Sequence, residues 1–301
     1  MTPGPTLPRR LARLALVATL AAAVGTVCGL GAMASARYVQ TLTHPGCWHV
    51  GRGPQQAGIT GAQDVSVPAH DGPDLAAWYV PPSNGALIIL LGGLGSGRDG
   101  MLREGAVLAA KGYGLLMLDQ RACSLPSGLS TLGYLEARDL RQAVAWAAQQ
   151  PGVGHIGALG FSAGGVTAIL AAAEDQRIEA LVAEGGFADL EADLSGEYQR
   201  GGLVARIVFL LNPVFFRLET GVNPALVSPV SALGSVSPRP LLLIYGDREV
   251  DSARAWQQLD AAGDPKELWV LADCGHGGYL DAAPQEWETR VVGFFDAAFG
   301  L

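Results

Sequence analysis

Basic residues are scarce in this 301-residue chain and nowhere form a run: lysine occurs only at Lys111 and Lys266, and the net charge is −8. That balance excludes an electrostatic nucleic-acid surface, because gripping a phosphate backbone takes clustered cations. Cysteine is sparse too. Four are present and none has a metal-ligand spacing, so no metal site is expected. Cys28 falls in an apolar segment, and Cys47, Cys123 and Cys274 read as ordinary small residues. A Cys123–Cys274 bridge is the alternative, since both lie in loops placed on one side of the sheet described below. No G-x-x-x-x-G-K-S/T occurs, which removes the common phosphate-binding loop, and no cofactor is implied. Charged residues of both signs make up only 16% against 49% hydrophobic, so a sizeable core can be buried.

The first 36 residues are of a different material. Arg9, Arg10 and Arg13 precede LALVATLAAAVGTVCGLGAMASA, residues 14–36, which carries no charge. Such a run is long enough to cross a bilayer, and flanking positive charge tends to stay cytoplasmic. We therefore expect 1–36 to be a signal-anchor with the following domain outside the cytoplasm. The alternative is a secreted domain, released by cleavage after the small-x-small sequence Ala34-Ser35-Ala36. Residues 37–63 read as a linker or arm.

From 64 onward, apolar runs alternate with amphipathic segments. Strands are expected at 64–69, 75–80, 86–91, 113–119, 155–160, 178–184, 240–245 and 267–272, and helices near 99–111, 132–149, 163–174, 252–262 and 284–299. Continuous apolar runs suit strands covered on both faces, so the fold class is α/β, a mainly parallel eight-stranded sheet between helices. The HDGP turn makes the first pair antiparallel. The rhythm pauses over about 187–238, where LVARIVFLLNPVFFRL (203–218) reads as two helical pieces split at Asn212-Pro213. This insertion in the 64–301 domain is either a small cap over the strand ends or a core helix pair.

GFSAG, residues 160–164, fits G-x-S-x-G, a weak signal alone in a chain with 41 glycines. Its setting strengthens it: a strand ends just before Ser162 and a helix starts just after. Such a turn strains the serine backbone and lifts its hydroxyl above the sheet, and Gly160 and Gly164 are required where a side chain would clash. A serine nucleophile needs a base. Of the five histidines, His44 and His49 lie in the arm, His70 in a hairpin turn, and His155 opens a strand. His276 stands in CGHGG after the last strand, on the side of the sheet where Ser162 also lies. The acid that orients the histidine is expected in GDREVD (246–251), giving the order Ser, acid, His. Oxyanion donors are expected at the N–H of Ala163 and, in LLGGLGSGRDG, of Leu94.

These segments resemble the α/β-hydrolases, particularly membrane-anchored serine hydrolases related to prolyl-oligopeptidase-like and BEM46-like proteins. The matching stretches are DGPDLAAWYVPP, LGGLGSGRDGM, LDQRACSLPSG, LGFSAGGVTA, GGFADL, SPRPLLLIYGD and CGHGGYLD, covering nearly the whole of 64–299. The resemblance implies Ser162 as nucleophile, His276 as base, and Leu94 and Ala163 as oxyanion donors. It departs at Gly92-Gly93, where the family has His-Gly, and at Ala122 and Cys123 within DQRACS. The acid loop is also shortened. Family spacing points to Glu249 as the acid, Asp247 stays the alternative, and Asp251 with Ser252 reads as a helix cap. The expected activity is hydrolysis of a small-molecule acyl substrate through an acyl-enzyme: an ester first, with thioester or amide possible and a peptidase as the second reading. A catalytically silent binding domain is the alternative from another class. Oligomeric state is not legible.

Overall fold

The computed structural model describes residues 7–124, 127–196, 203–251 and 253–301. Leu125-Pro126 of the DQRACSLPSG stretch, residues 197–202 of the expected cap, and Ser252 lie outside them. Eight strands form one sheet: β1 (Gln63–Val67), β2 (Leu75–Val80), β3 (Ala86–Leu91), β4 (Gly114–Leu118), β5 (His155–Phe161), β6 (Ala180–Glu184), β7 (Leu241–Gly246) and β8 (Lys266–Leu271). Their order is β1-β2-β4-β3-β5-β6-β7-β8. β2 is antiparallel to both its neighbours, and the other pairings are parallel.

Side-chain alternation explains the layers. In β3, Leu87, Ile89 and Leu91 face one core with Leu116 and Leu118 of β4, while Ile88 and Leu90 face the other with Leu115 and Met117. The first core is closed by α4 (Tyr134–Ala147) and α5 (Ala163–Glu174) through Leu140, Val144 and Ile169. The second is closed by α2 (Leu102–Ala110) and the C-terminal α12 (Gly293–Phe299) through Leu108 and Phe295. Each such aliphatic or aromatic side chain contributes about 1.5–3 kcal/mol on burial, which is why both strand faces are apolar. Short helices α3 (Arg121–Ser124), α8 (Pro229–Ala232), α9 (Ala255–Ala261), α10 (Tyr279–Ala282) and α11 (Pro284–Trp287) fill the connections.

Four expectations change. The N-terminal helix α1 runs Leu7–Thr43, so 37–43 continue the helix and the arm begins at His44. Helix α7 (Leu203–Thr220) is continuous through Pro213. Asn212 is buried there, accepting from Ser35 Oγ of α1 at 2.7 Å and donating to the Leu194 carbonyl of α6 (Leu190–Gly196) at 2.9 Å. Packing on two helices thus holds a turn that proline alone would weaken. The single helix expected over 284–299 is interrupted by a π turn at Glu288–Val292 between α11 and α12. Finally, the bridge joins Cys47 to Cys123, while Cys274 is free and buried.

That bridge brings the arm across the loop after β3. Trp48 donates its N–H to the Gly95 carbonyl at 2.9 Å and accepts from the Gly97 N–H at 3.0 Å. Asp99 accepts the Gly51 N–H at 2.9 Å and faces His49 Nδ1 at 3.1 Å. Closing a loop with a sequence separation of 76 should stabilise the fold by about 2–4 kcal/mol. Replacing Cys47 and Cys123 together with serine is therefore expected to lower the thermal midpoint of the full chain by about 5 °C or more. An unchanged midpoint in a calorimetric scan would show that the arm is held without the bridge.

Candidate active site

Parallel strands end on one edge of the sheet, so the loops after β3, β5, β7 and β8 meet there. Ser162 follows β5 directly and sits at φ 54°, ψ −120°, a conformation that costs a non-glycine residue energy. The turn tolerates no side chain beside it. A Cβ on Gly160 would collide with the Gly164 backbone, and one on Gly164 with the Leu91 and Gly92 carbonyls. The Ser162 N–H is tied to the Glu184 carbonyl of β6 at 2.6 Å.

His276 Nε2 lies 3.0 Å from Ser162 Oγ, and its Nδ1 lies 2.6 Å from Glu249 Oε2. The partners assign the ring proton to Nδ1, leaving Nε2 to accept from the serine. Phe161 packs against the imidazole with ring centroids 5.0 Å apart. Glu249 is buried, and its other oxygen accepts the Gly246 N–H at 3.0 Å and the Tyr279 hydroxyl. Burial pushes this carboxyl up, but the hydrogen bonds from His276, Tyr279 and Gly246 outweigh it and hold it below the usual carboxylate range.

Asp247 stands apart from that chain. It accepts the Asp273 and Cys274 N–H groups at 3.0 and 3.1 Å, bracing the loop that carries His276. Asp251 does not cap α9, whose N-cap residue is Arg254.

Leu94 is the second residue of a turn closed by the Ser96 N–H on the Gly93 carbonyl at 3.0 Å, which leaves its own N–H outside the turn's hydrogen bond. Ala163 is the first residue of α5, where an N–H has no acceptor within the helix. Gly93 lies against Ser162, since a Cβ there would stand 3.4 Å from Ser162 Cβ. Gln120 donates to the Gly92 carbonyl and so steadies the same loop.

Beside His276 opens a cavity of about 690 Å³, lined in part by Trp48, Met101, Leu102 and Phe161. Two carboxyls also line it, Glu104 of α2 and Glu184 at the end of β6. Burial first, then the nearby Glu104, pushes Glu184 up to about 8, and Trp287 donates to it at 2.7 Å. Burial raises Glu104 as well. Among the described residues no group of His, Cys, Asp and Glu is placed to hold a metal ion.

Sequence reasoning missed Tyr279, Gln120, Phe161 and the carboxyl pair. Phe161 and Tyr279 had a positional signal, as the aromatic residues directly beside Ser162 and beside the CGHGG loop.

The family model described as X-Pro dipeptidyl-peptidase (S15 family) matches residues 35–215, more than half of the chain. The esterase Pf2001 of Pyrococcus furiosus is 25% identical with a TM-score of 0.66, covering 84% of this chain and 97% of its own. Dienelactone hydrolase of Anabaena variabilis shares the fold at 22% identity and a TM-score of 0.55, over 78% of this chain and 97% of its own. A 61-residue segment is 36% identical to the uncharacterized protein PA2218 of Pseudomonas aeruginosa, spanning 20% of this chain and 16% of that protein.

The Tyr279 hydroxyl helps to keep Glu249 ionised, so Tyr279→Phe should let the Glu249 carboxyl take up a proton more readily and weaken its hold on the imidazole. The acid limb of kcat/KM for a short p-nitrophenyl ester is expected to move up by on the order of one pH unit. A limb that stays in place while activity falls would mean that Tyr279 merely packs.

Proposed function

The chain belongs to the X-Pro dipeptidyl-peptidase (S15) family and is a hydrolase of the α/β-hydrolase fold; from that premise we propose that it cleaves a carboxyl ester through an acyl-enzyme on Ser162. The observation that carries this reading is the unbroken hydrogen-bonded chain from Ser162 Oγ through His276 to Glu249, at 3.0 and 2.6 Å. His276 Nε2 takes the hydroxyl proton as Ser162 Oγ attacks the substrate carbonyl. The tetrahedral oxyanion is held by the N–H groups of Leu94 and Ala163. On collapse, the alkoxide leaving group takes the proton from Nε2, leaving an acyl ester on Ser162. Water, deprotonated by the same imidazole, then releases the acid and restores the serine. Glu249 orients the ring and offsets the imidazolium charge at each step. The Pyrococcus furiosus esterase, similar over nearly its full length, supports the ester reading.

A peptidase is the second reading, and Glu104 and Glu184 favour it. Two neighbouring carboxyls in the cavity beside His276 would receive the ammonium of a substrate with a free amino terminus. The family description points the same way.

We place the domain on the extracytoplasmic face, held by α1. Supporting this are the arginines ahead of the apolar run, the helix's length and hydropathy, and a disulfide, which persists in oxidising compartments. Ser35 and Val39 are buried against the rest of the fold, so cleavage after Ala36 would strip away a packed residue.

A fluorophosphonate probe should label the chain, and Ser162→Ala should abolish labelling. Glu249→Gln should cost about 10³-fold or more in turnover and Asp247→Asn far less. Equal losses would sink the assignment of the acid. Hydrolysis of aminoacyl anilides in preference to an ester series would select the peptidase. No turnover on either panel would leave a binding domain.

A further inference from the structure

The helix α7 carries two faces. Asn212 and Phe216 point inward and are fully buried. Leu210, Val214 and Leu218, spaced i, i+4 and i+8 on the opposite side, are 60%, 53% and 73% exposed. An apolar stripe this exposed costs a domain surrounded by water, so its surroundings matter.

The position of α7 relative to α1 supplies them. Residues 14–36 rise about 34 Å as a helix, close to the roughly 30 Å of a bilayer's hydrocarbon core. Ser35 lies at the end of that run, and its hydrogen bond to Asn212 fixes the middle of α7 at the same level. Tyr38, three residues on, meets Phe209 edge-on with ring centroids 6.5 Å apart. Tyr38 itself is 41% exposed, as tyrosine is at membrane–water boundaries, and the exposed Arg37 and Arg217 can reach phosphate headgroups. The apolar surface of α1 therefore continues onto the stripe of α7.

The buried face of α7 leads to the reaction centre. Phe216 and Val39 share a cluster with Val166, on the first turn of the helix that follows Ser162, and Leu94 packs against that cluster. The oxyanion loop and the membrane-level helix thus rest on one apolar body.

We propose that α7 lies in the interfacial zone of the outer leaflet beside α1, holding the site against the lipid surface so that it draws its acyl substrate from the bilayer. The occupant of the stripe is lipid, and the substrate class is a long-chain acyl ester. This rests on the anchor and hydrolase readings given above, and the experiment separates their failure from its own.

The test uses the full chain in phosphatidylcholine nanodiscs. A nitroxide is placed at Val214→Cys or, as a control at the exposed C-terminal end of α5, at Glu174→Cys, each with Cys28→Ser. The label at 214 is expected to collide preferentially with oxygen, that at 174 with a water-soluble nickel complex. Separately, Leu210→Gln with Leu218→Gln should lower the ratio of long-chain ester turnover within the disc to short-chain ester turnover in solution about tenfold. A nickel-accessible label at 214 in a disc-bound chain overturns the proposal, as does an unchanged ratio. A chain that alkaline carbonate strips from membranes overturns the anchor reading beneath it, and loss of fluorophosphonate labelling in the parent chain overturns the hydrolase reading.

Discussion

A carboxylate buried at the end of a strand is stable only where donors replace the water it has lost, and the rest of the site is arranged around meeting that requirement for Glu249. Desolvation of such an ion costs several kcal/mol, and charge-assisted hydrogen bonds return about 1.5–3 kcal/mol each. Gly246, His276 and Tyr279 supply three, from the end of β7 and the segment after β8. Satisfying the acid therefore sets how those two segments lie against each other. With Nδ1 taken by Glu249 and one face of the ring against Phe161, Nε2 has one direction left, toward Ser162. The poised imidazole follows from the solvation of its neighbour.

The same requirement explains why two acids two residues apart do different work. The Glu249 N–H closes a tight turn on the Gly246 carbonyl at 3.1 Å, which brings the Glu249 side chain back over the strand end to the Gly246 N–H. Asp247, one residue past the strand, points to the neighbouring loop and takes the Asp273 and Cys274 N–H groups. The three-residue spacing from Gly246 to Glu249 is the one this turn requires. The division of labour itself was not legible, since it depends on donors about 26 residues away along the chain.

Legibility elsewhere follows the range of the physics involved. Strands β3 to β7 could be read because burial on both faces leaves an unbroken apolar run, and the turn at Ser162 because two glycines are demanded within five residues. The path of the arm could not. Nothing periodic in residues 44–51 says that Trp48 will pair with the loop after β3, or that Cys47 will meet Cys123. That bridge also accounts for one departure from the family pattern: a cysteine interrupts the DQRACS stretch because its partner comes from the arm. Likewise Pro213 reads as a helix break from local propensity, whereas the packing of Asn212 between α1 and α6 helps to keep α7 whole.

The arm joins two ends of the molecule that the sequence treats as separate. Thr43, the last residue of α1, accepts the Ser130 N–H at 2.7 Å, and four residues later Cys47 is bridged to Cys123. Trp48 then lies along residues 94–97, its indole donating to the Leu94 carbonyl at 3.2 Å, while Asp99 gathers His49 and the Gly51 N–H. The loop gripped this way is the one whose Leu94 N–H is assigned to the oxyanion. An oxyanion donor is effective when its position is fixed before charge develops, because reorganisation during the reaction raises the barrier. The glycines that let this loop approach the substrate would leave it loose alone, and the arm removes that freedom at the backbone. On the proposed reading, the segment leading out of the membrane therefore also completes the wall against which the transition state forms.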